Sequence, residues 1–434
     1  MSKVSLLLVF LAGCTDAALT REERLDPQSC AGCHPTTVRE WSGSMHAYSS
    51  VDPVFRAMNA RGQREAQLGS FCVKCHAPVA LAEGATTDGT NLDQVPAHLQ
   101  GITCVFCHEI DAVTGTHDAA LTRANDGVMR GGIADPFETP AHESQYSPLH
   151  DRKTLESSQI CGSCHDIVTP RGVALERGFE EWKGSLYSSP SSIERVSCQG
   201  CHMPSKDGRV ADVEGAPVRR LKSHAFPAVD QALTPFPEIE AQAALIEQEL
   251  ATVLQASLCV YPFANGSTVA ITLENIAAGH HFPSGASHDR RAWLELVATI
   301  GDRTVFSSGV DGPSAPDTWL FRDHVTKDDG TEALMFWDVA HVEPSILPAP
   351  ATRDPLDPRF AATHRTRTFS IPKPTPEVIR ARIRLQPIAS EVLDSLVASG
   401  DLDPAIAARM PIHDLRSTVM EWRAADGKFC AGER

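Results

Sequence analysis

The sequence Cys30-Ala31-Gly32-Cys33-His34 contains two cysteines separated by two residues, with a histidine directly after the second cysteine. The same five-residue pattern returns four times, as CVKCH from residue 72, CVFCH from 104, CGSCH from 161 and CQGCH from 198. The intervals between copies are unequal, and the residues between them are rich in Gly, Pro, Ser, Asp and Asn. The first half of the chain is therefore organised around five local motifs and not around long periodic helices.

Each motif is suited to carry one haem, because C-x-x-C-H is the sequence to which c-type haem is bonded. The cysteines would form thioethers, and the histidine would be the proximal iron ligand. The predicted attachment cysteines are Cys30, Cys33, Cys72, Cys75, Cys104, Cys107, Cys161, Cys164, Cys198 and Cys201. The predicted proximal ligands are His34, His76, His108, His165 and His202. The sequence thus predicts five covalently bound haem c groups.

Two other uses of paired cysteines fit less well. Two motifs together would bind one zinc ion. Five motifs cannot all be paired in this way, and zinc binding would not explain why a histidine follows every copy. A thioredoxin-like redox motif would occur once, within a strand–helix–strand pattern. Covalent haem is the interpretation that accounts for all five copies.

The chain is acidic, with a formal net charge of −16 at pH 7 over 434 residues. This charge argues against nucleic acid and anionic membrane surfaces as partners, and it suits docking to a basic redox protein. Aromatic residues make up only 6% of the chain. The low aromatic content predicts that porphyrin supplies part of the apolar burial in the first half.

A low-spin haem iron needs a second axial ligand, and the choice between Met and His strongly affects its reduction potential. The first half offers methionines Met45, Met58, Met129 and Met203. Its histidines outside the motifs are His46, His98, His117, His142, His150 and His224. This supply of histidines favours bis-histidine coordination and low potentials.

The N-terminus has the pattern of an export signal. Lys3 gives a short positive start, and residues 4–12 are an apolar run too short to span a bilayer. The run ends in Leu11-Ala12-Gly13-Cys14, which resembles a bacterial lipobox and implies lipidation of Cys14. We expect a signal peptide at 1–13, a polar tether at 14–26 and a membrane-anchored lipoprotein in the periplasm or at the cell surface. An ordinary secretory signal with an incidental Cys14 is the alternative.

The composition changes after residue 232, and the sequence predicts an α+β multidomain fold. Residues 27–232 form a mostly helix-and-coil haem domain in which residues 36–48 are helical, and residues 233–257 form a linker helix. An antiparallel β-sandwich over 258–387 and a short helical tail over 388–434 follow. The strand signals are alternation at 269–273 and 379–385, a hairpin around Gly301-Asp302, and runs at 333–342 and 366–371.

The first half resembles a family of multihaem cytochromes related to the tetrahaem cytochrome of ammonia oxidisers and to hydroxylamine oxidoreductase. The resemblance covers about residues 27–230 and lies in Trp41-Ser42-Gly43-Ser44-Met45-His46 and in the C-x-x-C-H-M-P form of residues 198–204. It also includes the segments Pro140-Ala141-His142 and Lys222-Ser223-His224-Ala225-Phe226. The resemblance implies that His46, His142 and His224 are distal iron ligands.

The segment Gly279-His280-His281-Phe282-Pro283-Ser284-Gly285 resembles a loop in β-domains attached to multihaem cytochromes. That resemblance implies that His280 reaches across the domain interface and ligates a haem. The alternative is a rigid Pro/Gly turn with a surface histidine pair. The two cysteines outside these patterns, Cys259 and Cys430, form either a disulfide, which an exported protein favours, or two separate buried thiols.

The favoured function is that of an electron carrier exchanging single electrons with other redox proteins: cytochromes, a quinol-linked donor or a terminal reductase. Whether the protein is also an enzyme is left open, because a reductase or dehydrogenase of a small nitrogen or sulfur compound would need one open iron position. A subunit of a cytochrome filament or larger complex is a second alternative.

Overall fold

The computed structural model describes residues 17–432. The expected signal peptide, Cys14 and the start of the expected tether lie outside the described residues. Residues 20–26 are not a free tether, because Thr20 caps a short helix with a reciprocal bond to Glu23. Leu25 is buried in the core of the haem half, and Arg21 forms an ion pair with Glu83. Although residues 20–26 are mostly polar, the buried side chain of Leu25 packs this segment against the haem half.

The haem half contains short helices separated by turns. Between residues 17 and 232 the helices are α1 Arg21–Leu25, α2 Pro35–Ser42, α3 Met45–Tyr48, α4 Pro53–Ala66, α5 Val73–His76, α6 Pro78–Ala82, α7 Cys104–His108, α8 Ser158–Cys164, α9 Gly178–Lys183 and α10 Cys198–His202. The expected single helix over 36–48 is instead two helices that meet at Gly43. A side chain at Gly43 would approach Glu238 Cβ to 2.6 Å, so the break brings the backbone close to the second half.

Short strands also occur in the haem half, which the sequence did not predict. The strands are β1 Ile110–Val113, β2 Leu121–Arg123, β3 Met129–Gly131, β4 Ser144–Tyr146, β5 Ile167–Val168, β6 Ala174–Glu176, β7 Ser205–Arg209 and β8 Val218–Lys222. They form two-stranded pairs, β1–β2, β3–β4, β5–β6 and β7–β8. Their length of two to five residues is too short for a periodic pattern to be recognised.

The second half begins with helix α11, Ile239–Val253, where the sequence predicts the linker helix. The strands that follow are β9 Leu254–Phe263, β10 Gly266–Asn275, β11 Arg291–Ile300, β12 Arg303–Ser308, β13 Trp319–Phe321, β14 Asp323–Thr326, β15 His341–Pro344, β16 His364–Pro372, β17 Val378–Gln386, β18 His413–Asp414, β19 Met420–Arg423 and β20 Cys430–Ala431. The helices are α12 Pro358–Ala362, α13 Ser390–Ala398 and α14 Pro404–Ala407. The fold is thus α+β as expected, with a helical N-terminal region and antiparallel β-sheets in the C-terminal part.

The strands form two main antiparallel sheets. One sheet has the order β16-β10-β9-β20, and the other has the order β12-β11-β17-β18, with β13 beside β11 and β19 beside β17. Leu258 and Ile271 of the first sheet and Leu294 and Ile383 of the second are fully buried in one hydrophobic cluster. Each sheet thus buries one face against that core, and alternation along β17 follows from this arrangement.

The C-terminal segment departs from the helical tail expected over 388–434. Helices α13 and α14 are present, but β18, β19 and β20 then return to the sheets. Cys430 lies directly opposite Cys259 in the β20–β9 pair, and the two form a disulfide with a Cα–Cα distance of 4.0 Å. The run at 333–342 is likewise not one strand, since a 3₁₀ turn at Phe336–Asp338 precedes β15.

Among residues 17–432, no helix is both long enough and apolar enough to cross a lipid bilayer.

Candidate haem-binding site

Each C-x-x-C-H motif adopts one helical turn. The backbone N–H of His34, His76 and His165 donates to the carbonyl of the first cysteine of its motif, at 2.8, 3.1 and 2.8 Å. The third and fifth motifs form helices α7 and α10 themselves. Residues three and four apart share one helix face, so a turn of this kind presents both sulfurs and the imidazole on the same side. This arrangement suits the bonding of one porphyrin edge, although Cys33 of the first motif is disulfide-bonded in this structure.

Cysteines of different motifs lie next to one another. The thiols of Cys30 and Cys104 are close enough for each to shift the pKa of the other, as are those of Cys75 and Cys164. A third such contact joins Cys161 and Cys198. The first motif is therefore adjacent to the third, the second to the fourth, and the fourth to the fifth.

Four motif histidines face a second histidine from elsewhere in the chain. The ring centroids are 6.3 Å apart for His34 and His142, and 6.2 Å apart for His46 and His165. They are 6.3 Å apart for His108 and His224, and 6.4 Å apart for His202 and His280. The structure thus brings all four of the expected distal histidines opposite a proximal one.

These separations fit one metal ion between two imidazoles. A histidine nitrogen binds a transition metal at about 2 Å, so two rings on opposite sides of one iron have centres roughly 6 Å apart. Rings in direct van der Waals stacking would be closer, as Phe55 and His76 are at 3.9 Å. The spacing and the donor type both suit haem iron with two axial imidazoles, which supplies one-electron redox chemistry when bound.

Burial favours the neutral imidazole, the form that binds metal, in seven of the candidate ligands. Burial lowers the pKa of His46 to about 3 and that of His76 and His224 to about 4. Burial also lowers the pKa of His34, His108, His165 and His280. Nitrogen lone pairs are therefore available in these rings at neutral pH.

Hydrogen bonds at Nδ1 orient several of these rings. The nearest carbonyls lie 2.6 Å from Nδ1 of His108 and 2.8 Å from Nδ1 of His202. For His224 and His280 the distances are 3.1 and 2.9 Å. A proton on Nδ1 donated to a carbonyl leaves Nε2 free as the ligating atom.

His150 also lies beside His108, with centroids 5.8 Å apart, but its hydrogen bonding differs from that of His224. Its Nε2 contacts the Cys107 carbonyl at 2.8 Å, and its Nδ1 is buried without a partner. The nitrogen that would reach iron is therefore occupied in His150 and free in His224. Among the other candidates, His117 is half exposed and pairs with Asp118, and His98 lies in a 3₁₀ turn.

The His280 loop is held by both halves of the molecule. Asn275 donates to the His280 carbonyl at 2.8 Å, and Phe282 exchanges two backbone bonds with Leu347. From the haem half, the Glu181 carboxylate in α9 accepts the His281 N–H at 3.0 Å and the Ser284 hydroxyl at 2.6 Å. Hydrogen bonds from the loop to Glu181 thus hold it against α9, which lies between the fourth and fifth motifs.

The second motif has a different environment. The ring of His76 lies flat against Phe55, with an interplanar angle of 6°. Its Nδ1 is 3.4 Å from the Ser49 carbonyl. Within residues 17–432, no histidine ring lies opposite His76 at the spacing seen in the other four motifs.

Three contacts at the site were missed by sequence reasoning. No motif marks Phe55 or Glu181, and Phe226 is marked only as the last residue of the segment that implies His224 as a ligand. Phe226 contacts the rings of both His46 and His224, with centroid distances of 4.4 and 5.8 Å. Only its position two residues after His224 could have suggested a role.

Comparisons with known proteins found one family model and one solved structure that are similar to this chain. Residues 29–109 match the family model described as cytochrome c554 and c-prime. The structure resembles the crystal structure of a penta-heme cytochrome c552 from Thermochromatium tepidum, with a TM-score of 0.65 and 20% identity. The similarity covers 92% of this chain and 99% of that chain. No curated protein sequence shows a significant match.

The motifs, the imidazole pairs and the match over 29–109 together define the class, that of multihaem c-type cytochromes. At 20% identity, the likeness to the penta-heme cytochrome c552 shows a shared fold.

Proposed function

We propose that the protein is an exported, lipid-anchored electron carrier with five covalent haem c groups. The observation that carries this proposal is the set of four histidine pairs, each spaced for one metal ion. An iron with two protein ligands has no vacant position for a substrate, so such sites exchange electrons without binding one. The shared fold with a penta-heme cytochrome supports the number five.

The adjacency of the motifs supports a path for electrons within the chain. Contacts between cysteines join the first motif to the third and join the second, fourth and fifth. Phe226 lies between the distal histidines of the third and fourth motifs. Electrons would therefore pass between neighbouring sites within one body, and two imidazole ligands at an iron would favour a low reduction potential.

The net charge of −16 supports a basic docking partner, such as a cytochrome, a quinol-linked donor or a terminal reductase. The lipobox-like sequence before Cys14 supports an anchor in a membrane, with the protein in the periplasm or at the cell surface.

Mass spectrometry of protein from a host that matures c-type cytochromes tests the haem count. We expect five haem masses, and electron paramagnetic resonance of the oxidised protein should show low-spin signals from the four paired sites. Variants His142→Ala and His224→Ala should each convert one low-spin signal to high spin, while His150→Ala and His117→Ala should not. A spectrum unchanged in His142→Ala and His224→Ala would contradict the proposed pairs.

A second function is supported by the second motif, where His76 stacks on Phe55 and faces no second histidine within the described residues. Such a site would leave an iron position for a small nitrogen or sulfur compound. Carbon monoxide added to the reduced protein distinguishes the two functions. Binding at one haem per chain would support the enzyme alternative, and no binding would support a carrier.

A further inference from the structure

A cavity of about 520 Å³ lies in the second half of the chain, and all the residues that line it fall between residues 291 and 391. Its walls come from the start of β11, from β13, from the β14 segment, from β16 and from α13. It therefore lies where an edge of the six-stranded sheet meets the other sheet. None of the residues that line it belongs to the candidate haem-binding site.

The cavity contains more positive than negative charge. Arg291, Arg322 and Arg367 line it, and the two carboxylates at its walls are Glu332 and Glu391. The only other titratable group on the lining is His324, and burial lowers its pKa, so its ring is neutral at pH 7. Three guanidinium charges thus face two carboxylates.

Arg291 has a structural role. Its Nη1 donates to the carbonyls of His288 and Arg290, both at 2.8 Å, and its Nε donates to Glu391 at 2.9 Å. Glu391 also lies 3.8 Å from Arg322 Nη1. One carboxylate is therefore shared by two buried guanidinium groups.

Arg322 is incompletely paired. Its residue exposure is 7%, and its Nε is buried without any hydrogen-bond acceptor. Its closest partner, Glu332, has a side chain that is 62% exposed at the rim. One carboxylate beside Arg322 is shared with Arg291 and the other lies at the exposed rim, so an additional anion near this buried guanidinium would be stabilised.

The volume of the cavity and its apolar wall indicate which kind of anion fits. Trp319 and Leu320 give the cavity an apolar side, and its volume is within the range of about 300–1,000 Å³ that small-molecule sites occupy. An inorganic oxyanion, a few times larger than the roughly 30 Å³ share of one water, would leave most of it unfilled. We propose that the cavity binds a small organic carboxylate, with its carboxylate group at Arg322 and Arg367 and its apolar body against Trp319.

Isothermal titration of the haem-loaded protein with benzoate, benzamide and sulfate at low ionic strength tests this proposal. Benzamide has the shape of benzoate without its charge, so we expect it to bind at least roughly tenfold more weakly, because charge-assisted bonds are the stronger ones. Sulfate should bind more weakly than benzoate. Tighter binding of sulfate than of benzoate would contradict the proposal and would indicate a site for inorganic oxyanions.

Arg367 is half-buried on β16, and Arg365 lies on the same strand without lining the cavity. Arg367→Gln should lower the affinity for benzoate about tenfold, and the matched control Arg365→Gln should change it less than about twofold. Glu332→Gln removes the rim carboxylate that competes for Arg322, and it should tighten binding severalfold. An unchanged Soret spectrum and melting temperature would show that each variant is folded.

Three results would overturn the proposal. They are equal affinities for benzoate and benzamide, equal effects of Arg367→Gln and Arg365→Gln, and a wild-type dissociation constant for benzoate above about 10 mM.

Discussion

The imidazole rings of His202 and His280 are nearly parallel, with an interplanar angle of 6° and a centroid separation of 6.4 Å. His202 belongs to the fifth motif, and His280 lies in a loop after β10 of the C-terminal sheets. The pair therefore joins the two halves of the chain through one proposed iron site.

Replacement of His280 by methionine tests that site. A thioether ligand raises the reduction potential of a haem relative to a second imidazole. We expect His280→Met to shift one of the five potentials upward in a spectroelectrochemical titration and to leave the other four near their original values. The neighbouring variant His281→Ala should leave all five in place. An identical shift in both variants would mean that the loop, and not the ligand, is responsible.

Glu181 positions the same loop by accepting two hydrogen bonds from it. Glu181→Ala leaves the His281 N–H and the Ser284 hydroxyl without their acceptor, at a cost of about 1–3 kcal/mol. We expect a lower melting temperature and a partial high-spin signal from the fifth site. Glu180 is the matched control, because its carboxylate only pairs with the exposed Lys183 at 2.8 Å. If Glu180→Ala and Glu181→Ala gave the same spectra, the hydrogen bonds to Glu181 would have no role in ligation.

The disulfide between Cys259 and Cys430 closes a loop with a sequence separation of 171 residues. A cross-link of this kind restricts the unfolded chain, and its removal typically costs about 2–4 kcal/mol. We expect Cys259→Ala/Cys430→Ala to unfold at lower denaturant concentration than wild type in urea titrations followed by far-UV circular dichroism. Wild type in the presence of dithiothreitol should behave like the variant. Coincident curves for oxidised wild type and the variant would refute this stabilisation.

Asp52 caps helix α4 by accepting the Val54 N–H at 2.9 Å, and burial raises its pKa from 3.8 to about 6. The folded state therefore holds this proton more tightly than the unfolded state, and stability falls as the pH rises from about 4 to about 6. The shift corresponds to a penalty of at most about 3 kcal/mol above pH 6. Asp52→Asn keeps a capping oxygen without the charge.

We expect Asp52→Asn to melt at a higher temperature than wild type at pH 7 and at the same temperature near pH 4. Thermal denaturation across this range measures the difference. A constant difference at every pH would assign the effect to packing or capping and not to ionisation.

Local chemistry made much of the fold predictable. The C-x-x-C-H motifs can be recognised from sequence, because covalent attachment of haem needs those residues at that spacing. Ile379, Ala381, Ile383 and Leu385 alternate with arginines because β17 buries one face, and Gly301 marks the β11–β12 hairpin for a similar local reason. These features depend on neighbours in sequence, and sequence alone therefore shows them.

Features that depend on distant contacts were harder to predict. The resemblance implies His142 and not His150 as a ligand, but only the three-dimensional structure shows that His142 faces His34 and that His150 donates to a backbone carbonyl. Strands β18 and β20 contain two residues each, so they carry no periodic pattern. Their existence depends on β17 and β9, to which they pair.

The pairing of β20 with β9 also has a consequence for the order of assembly. Residues 430 and 431 complete the sheet that carries the His280 loop at the end of β10. The fifth motif, by contrast, precedes β20 by more than two hundred residues. Thioether formation at Cys198 and Cys201 would therefore not depend on β20, whereas ligation by His280 would depend on a sheet that is complete only when its last strand pairs.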